Sequence, residues 1–309
     1  MIQTVCGQMD AKDLGYCQMH EHLIVREGPA TQKFPALLID DEAKSAQELA
    51  RYFEAGGRSI LDAQPGGAGR DAHALKRISE TSQVNIISVT GFHLPMFYRS
   101  GHWIFTEPKE QLRDRFYLEL TWGINDAGSE MLTPIRAGAV KAAIGEDGPV
   151  GRAGECLWAA AAAASDANVP LIVHTERGIG AVDAIKICAS AGLKPEKVIV
   201  CHVDRQATDT RIHEEIARTG VYLDYDTIAR YKYHDDASEV QLILHMIEKG
   251  YAERLLLAMD TTVQRLTSYG ADVGLDFILR SFLPALRDAG VTENLIQTIT
   301  VDNPARVFA

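Results

Sequence analysis

Two histidines two positions apart, His20 and His22, close a short apolar run in the first part of the sequence. On a strand, residues i and i+2 point to the same side, so one strand end can offer both imidazoles to a single cation. Similar endings recur. His174 closes the run that begins at Leu171, His202 the run from Val198, and Asp260 the run from Leu255. Imidazoles and a carboxylate gathered at strand ends are the chemistry of a divalent cation site. Lys141 is the least expected companion, because its neighbours from Ala137 to Ile144 are small and apolar. An ammonium buried there is costly unless its charge is removed or matched. A neutral lysine could form a Schiff base, as in barrel aldolases. Alternatively it could take up carbon dioxide and become a carbamate, an anionic oxygen ligand able to bridge two cations. An aldolase has no need of four imidazoles, so the carbamate on Lys141 is the better fit.

These residues must be held by a repeating scaffold. Short β-branched or apolar runs at 16–20, 59–62, 85–90, 139–143, 171–174, 198–202, 221–225 and 255–260 alternate with stretches of helical periodicity at 41–55, 71–81, 108–121, 154–167, 179–191, 208–218, 238–249 and 275–289. Eight strand-helix units in a chain of 309 residues predict a (β/α)8 TIM barrel as a single domain over 1–309, its site at the C-terminal face of the strands. Long connections at 93–107, 226–237 and 261–274 fall on that face. Six consecutive alanines from Ala159 suit a helix packed close to the barrel.

Bulk composition excludes several classes. A chain 46% apolar and 24% charged buries a large core, and a formal charge of -11 argues against a nucleic-acid-binding surface. No apolar run approaches the ~20 residues of a membrane span, and the N-terminal stretch lacks a basic segment followed by an apolar one, so a cytoplasmic protein with no membrane partner is expected. Five cysteines without C-x-x-C spacing fit reduced thiols.

The stretches Gly-Tyr-Cys-Gln-Met-His-Glu-His-Leu from Gly15, Arg-Ala-Gly-Ala-Val-Lys from Arg136, Val-His-Thr-Glu from Val173, Cys-His-Val-Asp from Cys201 and Asp-Asn-Pro-Ala-Arg from Asp302 resemble the phosphotriesterase family of the amidohydrolase superfamily. That resemblance implies two divalent ions. His20 and His22 would hold one, His174 and His202 the other, carbamylated Lys141 would bridge them, and Asp260 would complete the first. Zinc suits the imidazoles, with manganese, cobalt or iron as alternatives. Two such ions about 3.5 to 4 Å apart share a hydroxide at neutral pH, and Asp260 would accept its proton and pass it to the leaving oxygen. A homodimer is also expected by resemblance.

The substrate must be read from the loops. Arg230 and Lys232 after the seventh strand, and Arg265 and Tyr269 after the eighth, form a local group of cations with a phenol in an acidic chain, which predicts a phosphate or carboxylate cradle. His93 and Tyr98, after the third strand, add polar and aromatic wall. The segments resemble the sugar-lactonase branch of the family, so the expected reaction is hydrolysis of a small-molecule sugar lactone, a phosphorylated aldonolactone such as a pentono-1,4-lactone 5-phosphate. The alternatives are an organophosphate triesterase, an acyl-homoserine lactonase, or a noncatalytic binding protein on the same fold.

Overall fold

A computed structural model describes residues 1–126 and 132–309. Eight parallel strands follow one another around a barrel: β1 (Cys17–Glu21), β2 (Ser59–Asp62), β3 (Asn85–Gly91), β4 (Ala139–Ala143), β5 (Leu171–His174), β6 (Val198–Cys201), β7 (Tyr222–Tyr225) and β8 (Leu255–Leu257). The seam between first and last strand is drawn shut by the Asp260 N–H, which donates to the His20 carbonyl at 3.1 Å. The Glu21 carboxylate reinforces it by accepting from the N–H groups of Met259 at 2.7 Å and Thr261 at 3.2 Å. An antiparallel hairpin, Ile2–Thr4 with Gly7–Met9, precedes the barrel.

Alternation along each strand separates two cores. Met19, Leu61, Ile87, Ala139, Ile172, Ile199 and Leu256 pack with one another inside the barrel, and Phe308 and Leu14 join them. Their neighbours Ile60, Ile86, Val140, Val173, Val200 and Leu257 join a second core with the helices. Lys141 follows Ala139 by two, so the same alternation turns it inward. Strict alternation from Met19 would instead turn His20 outward. The pairing of β1 with β2 shifts register between Gln18 and Glu21, and this irregularity lets His20 face the mouth.

The surrounding helices are α1 (Glu42–Glu54), α2 (Ala72–Ser82), α3 (Lys109–Thr121), α4 (Arg152–Ala167), α5 (Ala181–Ser190), α6 (Thr210–Ala217), α7 (Asp236–Glu248) and α8 (Leu283–Asp288). Asp41, Asp71, Asp209 and Asp235 cap four of them by accepting backbone N–H bonds at their N-termini. All six alanines from Ala159 are buried in α4. The expected last helix is divided, with a π-helical stretch, Ile278–Phe282, leading into α8. After it, Asn303 donates to the carbonyls of Ala252 and Leu255 at 2.9 and 2.8 Å, tying the C-terminal segment to the start of β8.

Two strands end earlier than their sequence suggests. β6 stops at Cys201, where the next residue, His202, adopts a positive φ of 66°, and β8 stops at Leu257, three residues before Asp260, which has a positive φ of 48°. Residues other than glycine rarely do so, and such strain collects at functional sites.

Gly91 ends β3 at φ 105°, with the backbone carbonyl of Lys141 where a Cβ would stand. We expect Gly91→Ala to lower stability by roughly 3 kcal/mol, seen as a fall in Tm. An unchanged Tm would mean that β4 can simply move aside.

Candidate active site

At the C-terminal mouth the six chemistry-bearing side chains converge. Lys141 Nζ lies 3.0 Å from His20 Nε2, His202 Nε2 lies 2.8 Å from His174 Nδ1, and His22 Nε2 lies 3.3 Å from Asp260 Oδ1. The ligand atoms of His20, His202 and Asp260 are all within 4.8 Å of one another. Lys141 is wholly buried among them.

Asp226, one residue beyond β7, orients this group. Its carboxylate meets His20 Nδ1 at 3.0 Å and His202 Nδ1 at 2.6 Å, and it accepts the His202 backbone N–H at 3.2 Å. A carboxylate at Nδ1 places the ring proton there and leaves Nε2 as a lone pair. His174 is the converse case, since its Nε2 faces Glu176 Oε1 at 3.0 Å and Nδ1 is left bare. Hence two lone pairs, His174 Nδ1 and His202 Nε2, confront each other, an arrangement that a cation between them would satisfy. The donor set fits divalent ions on that ground.

Electrostatics agree with the neutral rings that metal binding requires. Burial, reinforced by Lys141, pushes His20 down to about 4. Burial also pushes His174 down and His202 well down. Burial alone would raise Asp260, but the Arg230 guanidinium and the His22 ring hold its carboxyl well below the usual carboxylate range. Burial likewise opposes ionisation of Asp226, and the His202 and His20 rings overcome it.

A cavity of about 330 Å³ opens over this group. One wall is cationic. Arg205 pairs with Glu176 Oε2 at 3.0 Å and Asp260 Oδ2 at 3.4 Å, and Arg230 also reaches Asp260 Oδ2. Arg205, Arg230 and Lys232 surround the Tyr233 ring at 5.1, 5.8 and 4.6 Å from its centroid. The other wall is apolar, built from Phe34, Leu37, Leu94, Met96 and Phe97, with His93 stacked on Phe97 at 3.8 Å. A larger cavity of about 790 Å³ lies elsewhere and contains none of the six converging residues.

Of the substrate-binding residues expected from sequence, His93, Arg230 and Lys232 line the cavity. Tyr98 stands behind it, its hydroxyl accepting the His93 N–H at 2.8 Å. Arg265 and Tyr269 are not brought to it. Arg265 is buried and donates to the Ile228 and Asp260 carbonyls at 2.9 and 2.7 Å, so it ties the loops after β7 and β8 together. The Tyr269 hydroxyl accepts the Asp41 N–H at 3.1 Å, with Lys44 over its ring. Arg205 and Tyr233 occupy the places expected for those two. Sequence reasoning also missed Asp226 and Glu176, although both stand just past strand ends, where the other functional side chains were found.

Among the described residues, no helix is long and apolar enough to cross a membrane. A "phospho-furanose lactonase" of Mycoplasmopsis synoviae is 28% identical over 326 residues, covering 99% of this chain and 91% of its own. The crystal structure of an amidohydrolase from Mycoplasma synoviae superposes with a TM-score of 0.94 at 27% identity, over 100% of this chain and 91% of that one. A lactonase from Listeria monocytogenes gives a TM-score of 0.92 at 27% identity, over 100% and 98%. The sequence pattern of the phosphotriesterase family matches residues 1–308, and with this fold and this convergence of side chains the chain belongs to that family.

Proposed function

We propose that this chain, acting as one hydrolase domain over 1–309, opens a sugar lactone and prefers a phosphorylated furanose lactone such as a pentono-1,4-lactone 5-phosphate. The observation that carries this reading is the cationic wall. Arg205, Arg230 and Lys232 gather around Tyr233 on the rim of the same cavity that His20, His22, His174 and Asp260 line. In a chain of net charge -11, such a concentration of cations favours an anionic ligand. The names carried by the similar proteins support the same direction.

His20 and His22 would hold one divalent ion, His174 and His202 the other, with Lys141 as a bridging carbamate and Asp260 completing the first site. Zinc is the expected ion. Bound there, the ions supply Lewis acidity and a water that gives up its proton near neutral pH. The protein does the rest. Asp226 keeps the His20 and His202 rings aimed, Asp260 accepts a proton and delivers it to the leaving ring oxygen, and the cationic wall holds the phosphate. His93 and the apolar wall shield the reacting carbonyl from bulk water.

The test compares hydrolysis of a five-carbon aldonolactone with and without its 5-phosphate, in metal-replete wild type and in Lys232→Ala. Loss of a charge-assisted contact predicts a fall of roughly 10- to 100-fold in kcat/KM for the phosphorylated lactone, with the neutral one unchanged. Equal damage to both would sink the cradle. The apolar wall of Phe34, Leu37, Leu94 and Met96 favours a second reading, an apolar lactone or organophosphate ester. Turnover of those alone would establish it.

A further inference from the structure

The loop that carries the cationic wall is anchored at a second cluster outside the cavity. Asp204 lies in the short turn Val203–Gln206 after β6, and Glu239 in the first turn of α7. Both are fully buried. His234, from the loop between β7 and α7, brings a side chain only 8% exposed against Glu239, its Nε2 3.0 Å from Oε2. The ligand atoms of the three residues lie within 4.8 Å of one another.

The hydrogen-bond count at this cluster does not close. Asp204 Oδ2 accepts from the N–H and the hydroxyl of Thr227 at 2.6 and 2.7 Å. Among the described residues, no donor reaches Asp204 Oδ1 or Glu239 Oε1. His234 Nδ1 lies 3.0 Å from the Asp235 carbonyl, which can only accept, so the ring proton belongs there. Nε2 then presents a lone pair towards Glu239 and the Thr227 oxygen, 3.0 Å away. If instead the ring were doubly protonated, its single charge would face two buried carboxylates and still leave those two oxygens dry. Arg205, whose charge Asp204 feels, turns its two terminal nitrogens to Glu176 and Asp260 rather than to this cluster. Buried carboxylates with unsatisfied oxygens are strongly disfavoured, and a cation resolves the deficit.

We infer that Asp204, His234 and Glu239 hold a divalent cation distinct from those of the catalytic group. Two carboxylates and one imidazole suit zinc or manganese, and the Thr227 hydroxyl stands beside them. The ion joins the turn after β6, the loop after β7 and the start of α7. It therefore fixes the segment bearing Arg230, Lys232 and Tyr233 without touching substrate. A His234 proton donated from Nδ1 to a backbone carbonyl is the usual companion of ligation through Nε2.

The test is a metal count on the whole chain, saturated with zinc or manganese and then freed of loose ions by gel filtration. Wild type is expected to retain about three equivalents, and Glu239→Gln and His234→Gln about one fewer each, because each removes a ligand. The manganese-dependent gain in Tm should shrink in both variants. Equal metal content in wild type and variants overturns the assignment. Should one of these variants fail to fold, Asp204→Asn takes its place, read again as a difference of about one equivalent from wild type, which does not depend on how many ions the catalytic group holds.

Discussion

On the proposed reading, Lys141→Ala should lose at least about one equivalent of metal and slow lactone hydrolysis by ~10³-fold or more, because it removes the group that would bridge the two ions as a carbamate. The position leaves little room for any other role. Lys141 is wholly buried, its Nζ touches His20 Nε2, and its own backbone carbonyl is pressed against Gly91 and accepts the Phe92 N–H at 2.9 Å. An amine so placed cannot reach solvent. Short carboxylic acids should restore part of the activity and of the metal content, since they can enter the space left by the side chain and supply the missing oxygens. If metal content is unchanged and no acid rescues, the lysine acts as an amine, and the Schiff-base chemistry open to the sequence returns.

The second large effect belongs to Asp260→Asn, for which we expect most of the metal to be kept and turnover to fall by at least ~10²-fold, the usual range for a proton-transfer group. Asparagine is the informative substitution. Asp260 has a φ of 48°, and asparagine tolerates the left-handed region where most residues do not. Its amide has one oxygen, which can replace Oδ1 towards His22 or Oδ2 towards Arg230 but not both, so shape and backbone are preserved while one contact and proton acceptance are lost. Metal analysis beside steady-state kinetics reads both quantities. Retained turnover would remove Asp260 from proton transfer and leave it a ligand alone.

Much of this site was legible because barrel strands end where their chemistry begins. An imidazole or carboxylate closing an apolar run, at 20, 174, 202 and 260, needs only the right strand order to become a neighbour of the others. Lys141 was legible for the opposite reason, as a charge in a strand that had no place for one. Asp226 was not, since Asp224 and Asp226 bracket the end of β7 two residues apart, and only the register shows which of them meets the His20 and His202 rings most closely. The rim was the least legible part. Periodicity fixes which strand a loop leaves, but not its path. Thus Arg265, close in sequence to Asp260, binds backbone carbonyls, whereas Arg205, close to His202, faces the cavity.

The seam of the barrel sets an order in time. His20 and His22 are made well before β8, and Glu21 finds its partners on Met259 and Thr261, 238 and 240 positions later. At 5–20 residues per second, synthesis leaves the opening strand without its neighbour for about 12 to 50 s. For most of that interval the growing chain has the histidines of β1 without Asp226 to aim them, and for all of it Asp260 is absent. On the proposed reading the metal set is complete only once β8 has been made, and a chain cut short before β8 should emerge as an open, metal-poor sheet rather than a smaller enzyme.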